Sequence, residues 1–456
     1  MKNKNILVIG LGVSGIACIK GLSMLGANIF VYDESTQSPE KLKELENIKV
    51  EYFFGSENID KINIKQLELA IKSPGIKYEE PIIQKLIEKK VKVISDIEAA
   101  YKVTDALIVS ITGTNGKTTT TTLIGEIVKE SGKNFKLTGN IGYGMFYDAI
   151  NSKEDDILVA EVSSFQLAGT YEYKPHISII TNITPDHMDY HHTLQNYMEA
   201  KFKNVINQDE NDYAILNYED EEIRNYSDNI KAKKIFFSSD RVLNSGIYVE
   251  DGKMMFSSNG SEKFIISTQD IFIPGKHNLE NAMAATGAAL ALGINTDIIA
   301  HVLKEFKGVE HRLEFCGEHN GVKFYNDSKG TNPDASIKAV QGIQKPIILI
   351  AGGYDKGSLY DDFIKAFDDK VKALVLLGKT AHDIDKCARK YGFNNIYHVE
   401  NMDEAVKKCF ELSNKGDNVV LSPACASWGM YPNYEVRGRD FKERVKYYGG
   451  NSKEVQ

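Results

Sequence analysis

A glycine-rich turn followed by a lysine and several threonines is the stretch of this sequence best suited to bind a phosphate. The apolar, β-branched run Leu107–Ile111 predicts a buried parallel strand. After it, Gly113-Thr-Asn-Gly-Lys-Thr118 would point backbone N–H groups at an anion, beside the positive end of a helix. Lys117 could reach the β- and γ-phosphates of a nucleotide, and the hydroxyl of Thr118 could ligate Mg²⁺. Because Ile111 replaces the first glycine of GxxxxGK[ST], an ordinary strand–turn–helix junction is the alternative.

Polar residues also follow two later strands of the same region. The run Ile157–Ala160 leads into Glu161, and the run Ile177–Ile180 leads into the segment that contains His187. Ligands of open α/β sheets bind beyond the carboxyl ends of the strands, so Glu161 and His187 should face the phosphate loop. A carboxylate is a usual ligand of Mg²⁺, whereas an imidazole is a less usual one. Each residue alone is more often structural, but together around one loop they form a candidate active site.

Three further polar residues lie on predicted helices. Lys201 belongs to a helix predicted over Thr193–Asn207, where a lysine is most often a solvated surface group. Asn278 and Asn281 lie in the first turn of an alanine-rich helix and could hydrogen-bond the edge of a base. Good packing and helix propensity are the alternative explanation of that helix.

The first 33 residues have the pattern of a dinucleotide-binding βαβ unit. A strand over Asn5–Ile9 precedes Gly10-x-Gly12-x-x-Gly15, and a second strand ends at Asp33. Glycines permit close approach to a diphosphate, and the acid suits ribose hydroxyls. Alone, this pattern predicts an NAD-dependent oxidoreductase, with another diphosphate ligand or a ligand-free Rossmann-like fold as alternatives. The strand Leu67–Ile71 leads into Ser73-Pro-Gly75, which is either a plain turn or part of the same ligand edge.

The α/β pattern restarts near residue 308. Four strands are predicted there, namely Val322–Tyr325, Pro346–Ile350, Ala373–Leu377 and Asn418–Leu421. The chain is therefore predicted to be α/β with three domains, over residues 1–102, 103–307 and 308–456. The first and third would be Rossmann-like, and the central one would be a P-loop ATPase-type domain with a parallel sheet.

Composition excludes several classes of protein. A net charge of -8 and a pI near 5.8 argue against a nucleic-acid groove as the main surface. The five cysteines are scattered and include no C-x-x-C, so neither a disulfide framework nor a thiolate zinc site is indicated. The sequence has no signal-peptide pattern and no apolar run of about 20 residues that could cross a bilayer. A reducing cytoplasm is the predicted location.

Six motifs, in this order, resemble those of the Mur ligases of peptidoglycan precursor synthesis. They are Gly113–Thr118, Glu161–Gln166, Thr181–His187, Pro274–Asn278, His311-Arg312 and Asn326–Lys329. Within the family, Tyr325–Pro333 and Ser422–Ser427 are most similar to the member that adds D-glutamate to UDP-N-acetylmuramoyl-L-alanine. The resemblance implies ATP-dependent amide formation through an acyl phosphate. A Mur ligase for another amino acid, and a non-catalytic nucleotide-binding protein, are the alternatives.

The resemblance also implies a ligand for each group of residues, and it replaces NAD by the UDP part of the precursor. UDP would be bound by Val13, Ser14, Asp33, Ser73, Pro74 and Gly75, and the muramoyl-alanine end by Asn140, Ser163, Gln166 and His187. ATP would be bound by Gly113, Thr114, Asn115, Gly116, Lys117, Thr118, Thr119, Asn278, Asn281, Arg312 and Asp327. D-Glutamate would be bound by Lys329, Thr331, Lys356, Ser427 and Tyr434.

The catalytic residues implied by the resemblance are Lys117, Glu161, His187 and Lys201. One Mg²⁺ would be held by Thr118 and Glu161, and a second by His187 and a carbamate formed on Lys201 from CO₂. The expected partners are the three small-molecule substrates, with no nucleic acid and no membrane, and a monomer is expected. Tyr354 and Trp428 lie within the third domain's polar loops without a predicted role.

Overall fold

Three β-sheets follow one another along the chain, and each lies within one of the three predicted domains. The computed structural model describes residues 1–35, 42–142, 144–354 and 358–451. The chain divides into two compact units, one of Met1–Phe272 with Lys276–Phe306 and one of Ile273–Gly275 with Lys307–Gln456. The first unit contains the first two sheets. Within the described ranges, no helix is both long enough and apolar enough to cross a membrane.

The first sheet has five parallel strands in the spatial order β3-β2-β1-β4-β5. This is the strand order of a Rossmann-like half, so the predicted fold of this part is confirmed. Because β1 and β4 are neighbours, the loops that follow Ile9 and Lys72 leave the same edge of the sheet. The elements are β1 (Asn5–Ile9), α1 (Val13–Met24), β2 (Asn28–Asp33), β3 (Val50–Phe54), β4 (Leu69–Lys72), α2 (Pro81–Glu88), β5 (Val93–Ser95) and α3 (Asp96–Tyr101).

The second sheet has nine strands in the order β14-β13-β12-β11-β10-β9-β6-β8-β7. The predicted parallel sheet is confirmed over β6 to β12, whereas β13 and β14 are antiparallel additions. Its strands are β6 (Leu107–Thr112), β7 (Phe135–Gly139), β8 (Ile157–Glu161), β9 (Ile177–Ile180), β10 (Tyr213–Asn217), β11 (Lys233–Ser238), β12 (Gly246–Glu250), β13 (Lys253–Ser258) and β14 (Ser261–Ser267).

Eight α-helices are described between β6 and β15, and the first of them begins at Lys117 as the phosphate-loop motif predicts. They are α4 (Lys117–Glu130), α5 (Met145–Ile150), α6 (Ser164–Ala168), α7 (Met188–His191), α8 (Leu194–Phe202), α9 (Glu221–Tyr226), α10 (Lys276–Ala291) and α11 (Thr296–Glu305). The side chain of Thr193 accepts a hydrogen bond from the N–H of Asn196, which caps α8. The helix predicted to reach Asn207 ends at Phe202, and turns follow it.

The first two sheets share one hydrophobic core. Ile6 of β1 and Leu22 of α1 belong to the same buried cluster as Phe146 of α5 and Leu158 of β8. At Gly21 a Cβ atom would lie only 2.8 Å from the Phe146 ring, so glycine permits α5 to pack closely on α1. The 102/103 boundary therefore separates two sheets that bury apolar surface against each other. Burial of this kind stabilises the unit by about 25 cal/mol per Å² of apolar surface.

The third sheet has six strands in the order β15-β16-β20-β17-β18-β19, and only β15 is antiparallel among the described pairs. All four predicted strands are present, and β15 and β19 add one strand at each edge. The elements are β15 (Glu314–His319), β16 (Val322–Asn326), α12 (Pro333–Gly342), β17 (Ile347–Ala351), α13 (Asp361–Lys365), β18 (Val371–Leu376), α14 (Ala381–Lys390), β19 (Ile396–His398), α15 (Met402–Leu412), β20 (Asn418–Leu421) and α16 (Tyr434–Asn451).

Candidate active site

The phosphate loop connects β6 to α4 and has two positions that only glycine can occupy. Gly113 has φ of +148°, and a Cβ there would lie 1.9 Å from Thr181 Oγ1. Gly116 has φ of +84°, and its Cβ would lie 2.2 Å from Asn281 Oδ1. The loop is also tied to the end of β9, because the N–H groups of Thr114 and Asn115 donate to Asn182. The strand, loop and helix are therefore present as predicted.

Two lysine side chains converge on the carbonyl of Gly113. Lys117 Nζ donates to the carbonyl oxygens of Gly113 and Thr114, each at 2.9 Å. Lys201 Nζ donates to the same Gly113 carbonyl at 2.8 Å. Thr118 and Thr119 are buried in the first turn of α4. The Lys117 side chain and the N-terminus of α4 make the local electrostatics suited to a polyphosphate.

Lys201 is not the solvated surface lysine that its sequence context most often indicates. Its side chain is buried, with 1% of the residue exposed, and Nζ lies 4.5 Å from the centre of the Tyr197 ring. Burial, reinforced by the charge of Lys117, holds the pKa of the Lys201 amine well below its usual value. Lowering the pKa of this amine increases the fraction that is neutral and therefore nucleophilic.

Glu161 ends β8 as a buried carboxylate with one oxygen that has no partner among the described residues. Its Oε1 accepts a hydrogen bond of 2.9 Å from Asn140 Nδ2, and its backbone carbonyl accepts one of 2.7 Å from the Asn140 N–H. Its Oε2 is buried without a hydrogen bond, and the residue is 3% exposed. A buried carboxylate oxygen is costly unless a cation or a donor meets it. This donor set therefore fits a divalent cation.

His187 adopts a backbone conformation that is unusual for a residue other than glycine. Its φ and ψ are 55° and 38°, and it stands immediately before α7. The exposed imidazole packs on Phe165, with 4.8 Å between the ring centres, and its Nε2 lies 3.6 Å from Asp186 Oδ2. Left-handed conformations at such residues cluster at functional sites. The ring is therefore held by packing while it remains accessible to a ligand.

A cleft of about 320 Å³ lies at the edge of the first sheet, between the loops that follow β1 and β4. All six residues predicted to bind UDP line it, and the full lining is Gly10, Leu11, Gly12, Val13, Ser14, Asp33, Ser73, Pro74, Gly75 and Ile76. Asp33 Oδ2 accepts a hydrogen bond of 2.7 Å from the Leu11 N–H. Ser73 Oγ donates to the Gly10 carbonyl at 2.9 Å, so these two side chains also hold the cleft in shape.

Two of the predicted ligand residues, Gln166 and Asn281, form hydrogen bonds within the protein. Gln166 is buried, accepts from the Ser163 N–H at 3.0 Å and donates to both carboxylate oxygens of Asp96. Asn281 is buried against Gly116 and donates to Asn278 Oδ1 at 3.3 Å. These hydrogen bonds orient Ser163 and the phosphate loop, and ligand binding by Gln166 and Asn281 stays a prediction. Ser163 and Asn278 remain partly exposed.

In the second unit, Asp327 follows β16 and is buried. Its Oδ2 accepts a hydrogen bond of 2.7 Å from Ser422 Oγ, and its Oδ1 accepts one of 3.3 Å from the Leu313 N–H. Burial raises the pKa of its carboxyl to about 7, although the Ser422 hydrogen bond and the charge of Arg312 oppose this rise. This carboxyl group therefore titrates near neutral pH.

Among the residues predicted to bind the amino acid, Lys329 and Thr331 lie on the loop after β16, Ser427 lies on the loop after β20, and Tyr434 begins α16. Lys329 Nζ is 5.9 Å from the centre of the Tyr434 ring, and both residues are partly exposed. Thr331 is also partly exposed, whereas Ser427 is buried. Lys356 lies outside the described residues. The structure thus brings Lys329 and Tyr434 together.

Tyr354 and Trp428, which had no predicted role, are in contact with each other. Their rings meet edge to face, with 5.8 Å between the centres. A backbone hydrogen bond of 2.8 Å from the Tyr354 N–H to the Ala426 carbonyl links the loops that carry them. These aromatic residues therefore help to fix the relative position of two loops at the candidate amino-acid site.

Three family models match this chain, and between them they span most of it. Residues 4–95 match the MurD-like N-terminal domain of Mur ligases, 111–289 the Mur ligase middle domain, and 311–425 the glutamate ligase domain of Mur ligases. A protein of Alkaliphilus oremlandii is 48% identical over 98% of each chain, and one of Thermoanaerobacter sp. strain X514 is 49% identical over the same shares. The chain belongs to the Mur ligase family. Both relatives are named UDP-N-acetylmuramoylalanine–D-glutamate ligase.

Solved Mur ligases have the same fold as this one. The UDP-N-acetylmuramate–alanine ligase MurC of Thermotoga maritima superposes with a TM-score of 0.59, over 97% of this chain and 99% of that one, at 20% identity. Mur ligases are ATP-dependent ligases of peptidoglycan synthesis, so the family membership confirms that class of enzyme. The hypothesis of an NAD-dependent oxidoreductase, based on the first βαβ unit alone, is not supported.

Two residues of this Mur ligase that the sequence did not single out connect its functional segments. The Tyr197 hydroxyl is hydrogen-bonded to Thr114 Oγ1 at 3.0 Å, and its ring lies against Lys201. Arg437 is buried, and it donates to the carbonyl oxygens of Ser328 and Cys425, which lie on two different loops. Tyr197 precedes Lys201 by one helical turn, and this spacing is the only feature of the sequence that indicates contact between the two side chains. No feature of the sequence indicates the role of Arg437, because Ser328 is distant from it in the chain.

Proposed function

We propose that this Mur ligase joins D-glutamate to UDP-N-acetylmuramoyl-L-alanine at the expense of ATP. The observation that carries the choice of substrates is the similarity to eight relatives, 42–49% identical over 97–98% of this chain, that all bear the name of this ligase. The arrangement around the phosphate loop supports the chemistry. The arrangement around the phosphate loop would suit a ligase for another amino acid equally well. The amino acid must therefore be identified by experiment.

In the first step, the carboxylate of the L-alanine residue attacks the γ-phosphate of ATP, and ADP leaves. The product is an acyl phosphate. Two anions must approach each other, so their repulsion has to be neutralised in advance. Lys117 at the loop mouth and the N-terminus of α4 would supply positive charge to the phosphates. Arg312 would add a cation at the phosphates, and Asp327 would meet the ribose.

The residues around the loop fit two Mg²⁺ ions. Glu161, whose Oε2 lacks a partner among the described residues, would hold one ion with Thr118, and His187 would hold the other with Lys201. Mg²⁺ held there would supply positive charge that offsets the negative charge developed during phosphoryl transfer. Asn140 would keep the Glu161 carboxylate oriented through its hydrogen bond to Oε1.

Lys201 would serve as a metal ligand only after reaction with CO₂. Its neutral amine forms an N–C bond to CO₂ and loses one proton, which gives a carbamate with a negative charge. The burial that lowers the pKa of the amine favours this reaction, because the protonated form has no lone pair. The modification turns a cation into an oxygen ligand of the type that Mg²⁺ prefers.

In the second step, the amine of D-glutamate attacks the carbonyl carbon of the acyl phosphate, and phosphate leaves. Lys329, Thr331, Ser427 and Tyr434, with Lys356, would bind the carboxylates of the amino acid. The cleft of the first sheet would hold the UDP part of the precursor, and Ser163 and His187 its muramoyl-alanine end. We assign these roles to three domains, at residues 1–102, 103–307 and 308–456, of a cytoplasmic enzyme. We propose that the enzyme is a monomer, since one chain supplies every residue named.

The deciding experiment measures phosphate release from ATP with UDP-N-acetylmuramoyl-L-alanine present. D-Glutamate, L-glutamate, L-alanine, L-lysine and diaminopimelate are added one at a time. Release that appears with D-glutamate alone, with a product heavier by one glutamyl residue, is the expected result. Release with a different amino acid would assign the chain to another member of the family. Release that needs neither substrate would indicate a nucleotide-binding protein that hydrolyses ATP.

A further inference from the structure

The fully buried side chain of Lys72 donates hydrogen bonds to the backbone of the loop after β4. This loop forms one wall of the cleft that is predicted to bind UDP, here called the UDP cleft. Lys72 is the last residue of β4 and is 0% exposed. Its Nζ donates to the carbonyl oxygen of Ile76 at 2.9 Å and to those of Ser73 and Pro74 at 3.4 Å each. Three residues of the cleft wall are therefore oriented by one ammonium group.

The same ammonium group also contacts the helix that follows His187. Lys72 Nζ donates to the Tyr190 hydroxyl at 3.2 Å, and Tyr190 lies on α7, which begins directly after His187. The Tyr190 hydroxyl also donates to the Ile76 carbonyl at 3.4 Å. The Tyr190 ring packs edge to face on Phe165, with 4.5 Å between centres, and the Phe165 ring contacts the His187 imidazole. A continuous chain of contacts thus runs from the cleft wall to His187.

Burying the Lys72 ammonium group costs desolvation free energy, so we expect its N–H donors to have a specific function. The rest of β4, Leu69 to Ile71, is apolar, and an apolar residue at its end would avoid the desolvation of a charge. The rings of Tyr78 and Tyr190 lie 5.1 and 5.8 Å from Nζ and offset part of that desolvation. A carbonyl bound to Lys72 is directed to the interior, whereas a carbonyl directed into the cleft would repel a diphosphate.

We propose that Lys72 is a positioning residue that couples the diphosphate-binding loop 73–76 to helix α7 and thereby to His187. The proposal rests on the proposed function for the identity of the ligand. It explains why a donor with three hydrogens stands at the end of β4, since methionine has similar reach but cannot donate. Lys72 itself does not line the UDP cleft, so its effect on the ligand is transmitted through the loop.

The test compares Lys72→Met, Tyr190→Phe and the double variant, with UDP as the binding probe in calorimetry. Lys72→Met should weaken UDP binding about tenfold and raise the KM for the UDP precursor by a similar factor, with little change in the KM for D-glutamate. Tyr190→Phe keeps the ring and removes only the hydroxyl. The double variant should bind UDP no worse than Lys72→Met, because both changes break the same link.

The matched control is Lys77→Met, which removes a lysine that also bonds to α7, through the Asp189 carbonyl at 3.0 Å, but from a partly exposed position. It should change UDP affinity less than twofold. Unchanged UDP affinity in folded Lys72→Met would overturn the proposal, as would purely additive effects in the double variant. If Lys72→Met does not fold, Tyr190→Phe alone must weaken UDP binding. UDP titration remains valid even if the parent enzyme does not use D-glutamate, so the two proposals can fail separately.

Discussion

Lys201 Nζ donates a hydrogen bond of 2.8 Å to the backbone carbonyl of Gly113 and so joins helix α8 to the phosphate loop 88 residues earlier in the chain. The contact places an amine of depressed pKa beside the glycine that shapes the loop. Under the proposed function, this is the amine that would react with CO₂ close to the nucleotide.

Replacing Lys201 should abolish activity without unfolding the protein. Lys201→Ala and Lys201→Arg should each lower the rate of phosphate release at least about 100-fold, because neither side chain can become a metal-binding carbamate. Lys201→Arg is the more informative variant, because arginine keeps the positive charge of an unmodified lysine but cannot form the carbamate. Carbon-13 NMR with labelled bicarbonate should show a carbamate signal in the parent protein that is missing from Lys201→Ala. An active Lys201→Arg enzyme would exclude the carbamate.

Removing the side chain that orients Glu161 should weaken the binding of Mg²⁺. Asn140→Ala deletes the hydrogen bond to Glu161 Oε1, and losses of this kind typically reduce metal affinity about 10- to 100-fold. The Mg²⁺ concentration at half-maximal activity should rise by that factor, while the KM for D-glutamate should not change. A normal Mg²⁺ dependence in Asn140→Ala would mean that Glu161 needs no such support.

Gly116→Ala should damage the phosphate loop more than a comparable substitution outside the loop. The matched control is Gly132→Ala, because Gly132 also has a positive φ, of +76°, but an added Cβ would meet no atom within 4 Å. Both variants should lose about 1 to 2 kcal/mol of stability from the left-handed backbone. Gly116→Ala also brings a Cβ against Asn281 Oδ1, so it alone should lose ATP binding in calorimetry. Equal ATP affinity in the two variants would contradict this account.

The stability of the second unit should depend on pH through Asp327. Its pKa is raised to about 7 in the folded protein, so this carboxyl contributes stability at acid pH that is lost as pH rises through 7. Between pH 5 and 8 the parent protein should therefore lose about 2 to 3 kcal/mol of unfolding free energy relative to Asp327→Asn. Trp428 is the only tryptophan of the chain and belongs to this unit, so its fluorescence reports the urea transition. A difference that does not vary with pH would place the carboxyl pKa near its ordinary value.

Trp428 should also report the binding of the amino acid. It is 53% exposed, follows Ser427 and contacts Tyr354, so a ligand at these loops should alter its emission. D-Glutamate added with ADP and the UDP precursor should produce a saturable change, and L-glutamate should not. In Ser427→Ala the response should be lost at the same concentrations. An equal response to both enantiomers would separate the signal from the proposed site.

Local features of the molecule could be predicted because their causes are local. The turns at Gly113 and Gly116 require positive φ, and apolar runs such as Leu107–Ile111 specify strands through their own composition. The Rossmann-like order of the first sheet follows from the βαβ pattern. The motif order also indicated the family, which the relatives confirm.

The tertiary structure decided which polar side chains are buried and what they contact. From its helical context alone, Lys201 is predicted to be a surface residue. It is buried because α8 packs beside the phosphate loop. Gln166 is bound to Asp96, 70 residues away, which the motif around it did not indicate. Lys72 acquires its role from Tyr190, 118 residues later in the chain. Desolvation and hydrogen-bond partners depend on contacts between distant segments, so the sequence determined the loops and sheets, and the packing of those elements determined the chemical state of the side chains between them.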